Sequence, residues 1–68
     1  DESKAEMIKV ARDFADKGDP NAMGRLGRAY RDGKGVEKNI ETARGWFTRA
    51  VAKNKAWEKE LTALPPSE

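Results

Sequence analysis

The chain contains neither cysteine nor histidine. Those two absences remove thiol nucleophiles, imidazole bases and the usual structural zinc ligands together. They leave the redox compartment open. No apolar run approaches the length of a membrane span, and no stretch has the layout of a signal peptide. No segment alternates at period two, so nothing in the pattern argues for a strand. A chain that starts at Asp1 rather than methionine reads as a mature product or a piece of something longer. What remains is a single domain over residues 1–68 whose fold must come from helix packing. At this length only about 60% of the unfolded surface is buried, so the core is thin and the stability marginal. No disulfide or zinc site is available as a staple.

Charge is abundant, at 38% of residues, and nearly balanced, with a formal net of +2. The balance hides a segregation. Residues 1–21 carry four basic and six acidic side chains, residues 22–55 nine basic and three acidic, and residues 56–68 return to a net of −2. A basic middle attracts acidic peptides, nucleic acid or anionic lipid, or is an ordinary solvated surface.

Capping signals divide the chain into four helices. Ser3-Lys4-Ala5-Glu6 has the form of a capping box and opens the first, with Met7, Val10, Ala11, Phe14 and Ala15 on one face and Gly18 as a left-handed stop. Asp19-Pro20 opens the second, an N-cap carboxylate followed by proline at the first helical position. Its buried stripe is Ala22, Leu26, Ala29 and Tyr30, with Met23 at the margin, and Asp32-Gly33-Lys34-Gly35 ends it. Asn39 caps the third, whose apolar face is Ile40, Ala43, Trp46, Phe47, Ala50 and Val51, and Asn54 is expected to close it in a left-handed conformation. Trp57, Leu61 and Leu64 mark a short fourth helix stopped by Pro65-Pro66.

A shift of 36 residues lays the first helix on the third. Met7 falls on Ala43, Val10 on Trp46, Ala11 on Phe47 and Phe14 on Ala50. The apolar positions coincide, while large meets small at nearly every one, as stacked layers require. Between them lie Ala22, Leu26-Gly27, Tyr30 and Gly33-Lys34-Gly35-Val36, followed by Asn39, Thr42-Ala43, Trp46-Phe47, Arg49-Ala50 and Asn54. This pattern resembles the Sel-one-like repeat, a relative of the tetratricopeptide repeat, with residues 22–54 as the well-matched part. Thr42 departs from it, standing where the family usually has lysine. The resemblance implies an all-α fold of about four helices, with antiparallel pairs stacked as a short right-handed alpha-alpha solenoid. Residues 20–54 would be one full repeat, residues 4–18 the second helix of a preceding one and residues 56–64 a short capping helix. It also implies a non-catalytic adaptor or scaffold, with no cofactor, and points to a bacterial protein of the cell envelope.

Other motifs fail on their own chemistry. Gly33-Lys34-Gly35 lacks the spacing, the hydroxyl residue and the preceding strand of a phosphate loop. Asp19, Asn21 and Gly24 echo a calcium loop, but Tyr30 stands where its bidentate glutamate belongs. Carboxylate pairs such as Asp13/Asp16 and Glu58/Glu60 read as solvated. Trp46, Phe47, Tyr30 and Trp57 sit where a buried stripe needs them and read as core. The candidate binding residues are Arg28 and Arg31, on the side of the second helix away from Leu26 and Tyr30, together with Gly24 and, beside them, Arg25. The resemblance implies that this helix lines a concave face. Guanidinium forks beside a glycine suit a carboxylate-bearing peptide. Alternatives are nucleic-acid or anionic-surface binding through the basic middle, and a structural role in capping or self-association within a larger solenoid.

Overall fold

The computed structural model describes residues 2–65, with side chains from residue 6 onward. Four α-helices occur among them: α1 (Glu2–Asp16), α2 (Pro20–Asp32), α3 (Ile40–Lys53) and the short α4 (Glu58–Thr62), which a 3-10 turn over Lys55–Trp57 precedes. The described residues contain no strand.

The helix ends follow local chemistry. The backbone is already helical at Glu2, and the side chain of Ser3 lies outside the described residues, as does Pro66. At the other end of α1, Gly18 takes φ 97° and the Asp19 N–H donates to the Phe14 carbonyl at 3.1 Å, closing the helix in the left-handed manner expected. Asp19 accepts from the Asn21 N–H at 2.9 Å. Pro20 begins α2 without losing a bond. Gly33, at φ 72°, closes α2 and donates to the Ala29 carbonyl. Asn39 accepts from the Thr42 N–H at 3.1 Å, and its own N–H reaches back to the Tyr30 carbonyl, pinning the connection to α2. Asn54 is a correction: it is extended (φ −149°, ψ 107°), and its side chain accepts from the Ala56 N–H at 3.0 Å. It opens the following turn instead of closing α3 by a left-handed cap, because its carbonyl oxygen can serve the next unpaired N–H.

Packing joins the helices through small residues. Ala15, Ala22, Met23, Leu26 and Ala50 form one buried cluster, with Ile8, Ala11, Trp46 and Trp57 against it. Ala43, Phe47 and Leu64 form a second, with Tyr30, Trp57 and Leu61 around it. The start of α2 therefore meets the ends of α1 and α3, and its end meets the start of α3, so successive long helices run antiparallel. Met23 is central, at 2% exposure, not marginal. The stripe expected on α1 is also corrected. Ala11 and Ala15 face the core together with Ile8, whereas Met7, Val10 and Phe14 are exposed. Among the described residues α1 packs chiefly on α2, and a helix with two apolar rows can bury only one row against a single neighbour.

Two glycines let rings rest on the α2 backbone. A Cβ at Gly27 would stand 2.8 Å from the Phe47 ring, and one at Gly24 would overlap the Trp57 indole. Gly24 was expected on an open face; it is buried beneath Trp57. Gly45 has nothing within 4 Å of a would-be Cβ. Gly24→Ala and Gly27→Ala should each destabilise the fold by about 1–3 kcal/mol, overpacking outweighing the gain in helix propensity. Gly45→Ala should stabilise it by up to about 1 kcal/mol, since only the propensity gain operates there. Urea midpoints of the three variants would separate the two cases.

Candidate functional site

Three arginines stand one turn apart along the outer face of α2, at positions 25, 28 and 31. Two of them are engaged. Arg28 Nε donates to Glu60 Oε1 at 2.5 Å, and Arg31 Nη1 lies 3.5 Å from Glu60 Oε2, so one α4 carboxylate bridges both. The Arg28 guanidinium also lies over the Trp57 ring, 5.1 Å from its centroid. Arg31 grips Asp32 as well, through Nε and Nη2 at 3.1 and 3.0 Å. That hydrogen bonding, reinforced by charge, raises the pKa of Arg31 and lowers that of Asp32, against a smaller opposing effect of burial on each. Glu60 is thus half-buried and bridging, not the freely solvated carboxylate its spacing suggested.

Arg25 differs from its neighbours. It is exposed and makes no hydrogen bond or ion pair among the described residues. It borders an open groove of about 1380 Å³ between α1 and α2. The α1 wall of this groove carries Met7 (66% exposed), Val10 (52%) and Phe14 (49%), and the α2 wall carries Ala22, Arg25 and Ala29. Four basic and four acidic side chains line the groove, so as a whole it is no trap for polyanions.

Of the four residues expected to bind a partner, then, Arg25, Arg28 and Arg31 share one helix face, two of them already paired internally, and Gly24 is covered. Sequence reasoning missed the α1 wall and Glu60. The register of Trp57 and Leu61 places Glu60 on their flank, but which helix lies opposite is a tertiary fact. Among the described residues no group of three acidic side chains could hold a metal ion, and no helix is long and apolar enough to cross a membrane. Comparison with protein-family models, curated proteins and solved structures finds no match to this chain.

The lowered pKa of Asp32 has a consequence for acid stability. Its pairing stabilises the fold above the ordinary carboxylate range and is lost as pH falls through the depressed folded-state value. Asp32→Asn should therefore be less stable than the parent near neutrality, with the gap closing below about pH 4. Urea midpoints followed from neutrality into acid would check this. Glu60→Gln breaks partly exposed pairs and should cost no more than about 1 kcal/mol near neutrality.

Proposed function

We propose that this chain is a non-catalytic protein-interaction module that holds a peptide segment of a partner in the groove between α1 and α2. In this reading residues 20–54 are one Sel-one-like repeat, with residues 4–18 and 56–64 as half-units, and the pairs stack as a short right-handed solenoid. The antiparallel packing of α1, α2 and α3 through alanine and glycine contacts supports it, as does the large-on-small alternation under the 36-residue shift. The observation that carries the binding role is the row of Met7, Val10 and Phe14, half to two-thirds exposed beside an unpaired Arg25. An apolar row of this kind, rimmed by charge, marks an interaction surface.

Nucleic-acid binding is the weaker reading, because Glu60 occupies Arg28 and Arg31 and acidic residues balance the groove. Self-association through the same exposed row is the third reading, and a concentration-dependent dimer in sedimentation would reveal it.

The test is a titration of isotope-labelled protein with acidic peptides of mixed apolar content, followed by amide chemical shifts. Shifts concentrated on residues 7–14 and around Arg25, and lost in Arg25→Glu with Phe14→Lys, are the expected result. Both residues are exposed, so the double variant should fold. Absence of shifts in the groove, or tighter salt-sensitive binding to a random DNA oligonucleotide, would overturn the proposal.

A further inference from the structure

We infer that Asp32–Gly33 is a site of spontaneous backbone isomerisation, held closed in the folded chain by Arg31 on the carboxylate and the Ala29 carbonyl on the Gly33 N–H. This goes beyond the partner-binding reading and does not depend on it.

The sequence supplies the chemistry. Five aspartates and three asparagines occur in the chain, and Asp32 alone among them is followed by glycine. An aspartyl carboxyl carbon lies within reach of the next residue's backbone nitrogen, and glycine has no side chain to obstruct the approach. The Gly33 nitrogen attacks Asp32 Cγ and forms an N–C bond. The Cγ–OH bond breaks, and the hydroxyl leaves with the amide proton as water. The product is a five-membered imide, which water reopens at either carbonyl. Opening at Cγ restores aspartate. Opening at the main-chain carbonyl leaves isoaspartate, with the backbone running through Cβ and Cγ. Water is the only other reactant.

The fold is what sets these two residues side by side. Gly33 closes α2 at φ 72°, where a residue with a side chain is strained, and a Cβ there would stand 3.2 Å from Lys38 Cβ. Asp32 sits at the negative end of the α2 dipole, a poor place for a carboxylate. Arg31 compensates through Nε and Nη2 at 3.1 and 3.0 Å, and the charges of Lys34 and Lys38 add to it. Glu60 of α4 faces the same guanidinium, 3.5 Å from Nη1.

Both reacting groups are thereby engaged. The protonated carboxyl is the form that loses water, and the Arg31 pair keeps Asp32 ionised. The Gly33 N–H donates to the Ala29 carbonyl at 2.7 Å, and the Lys34 N–H donates to the same oxygen at 2.9 Å. Ring closure must break the first of these bonds and take Asp32 out of its helical conformation. Asp32 is exposed, so the protection comes from these contacts and not from burial. Isoaspartate would lengthen the main chain by one carbon at the cap. That displaces the Gly33 turn, and with it the Asn39 N–H bond to the Tyr30 carbonyl that ties α3 to α2.

The experiment incubates the whole chain in warm, mildly acidic buffer, with and without guanidinium chloride. Isoaspartate is counted by enzymatic methylation and placed by electron-transfer fragmentation. At residue 32 it should accumulate at least about tenfold faster in the denatured chain than in the folded parent, as reaction through an opened state requires. Arg31→Gln should accelerate it about three- to tenfold in the folded chain, beyond any rise in unfolded fraction read from its urea midpoint. Arg31→Lys keeps the charge but not the two-pronged grip, and should fall between that variant and the parent. Glu60→Gln spares the Arg31–Asp32 pair and should match the parent within about twofold. Asp32→Glu should give no isomer, because its larger ring closes far more slowly. Equal rates in the folded and denatured parent would overturn the inference, as would a denatured parent free of isoaspartate at residue 32. Acceleration by Glu60→Gln as large as that by Arg31→Gln would move the protection to α4 docking and overturn it as well.

Discussion

Two side chains that α2 does not have organise the rest of the molecule. With no Cβ at Gly24 or Gly27, the Trp57 and Phe47 rings lie directly on the helix backbone, their centroids 6.2 Å apart and their planes tilted by 31°. Phe47 locks α3 against α2. Trp57 fixes where the chain turns after α3, and so fixes α4. Helix α4 in turn delivers Glu60 to Arg28 and Arg31, and this leaves Arg25 as the arginine of the row without a carboxylate among the described residues. A methyl group at either glycine would propagate along this sequence of contacts, because each depends on the one before.

The core built around those rings is economical in bulk. Ala15, Ala43 and Ala50 are fully buried, and Phe47, Met23 and Leu26 are the largest side chains with almost no exposure. Among the described residues no polar or charged residue is buried, and no buried side-chain nitrogen or oxygen lacks a partner. Specificity in this core therefore comes from shape, large against small, and not from a polar network. Charge is kept at the surface, where exposed pairs orient side chains and contribute little to stability.

Helix limits were largely legible in the sequence because capping is local: Asp19-Pro20, Gly33, Asn39 and Gly18 act within a few residues of themselves. Asn54 was misread since the same amide that can close one helix can open the next. The remaining differences are non-local. Helix α1 carries two usable apolar rows, and only the position of α2 decides that Ile8, Ala11 and Ala15 turn inward while Met7, Val10 and Phe14 stay out. Gly24 looked open on a helical wheel because the ring that covers it arrives from 33 residues further along the chain. Glu60 was legible as a carboxylate but not as a bridge, for the same reason. Of the candidate site, the basic row on α2 was foreseen, and the wall that makes it a groove was not.

The described molecule is a slab measuring 30 × 29 × 14 Å. Two layers of Cα traces, each about 4.6 Å wide with axes about 8–10 Å apart, fill that thickness, so the core is a single seam between them. The helix that borders the groove is also the one that holds both apolar clusters together. Occupancy of the groove and folding of the chain are therefore linked equilibria. Under the proposed function, a partner that binds only the folded form adds RT ln(1 + [L]/Kd) to the folding free energy, so its concentration becomes a term in how much of the chain is folded.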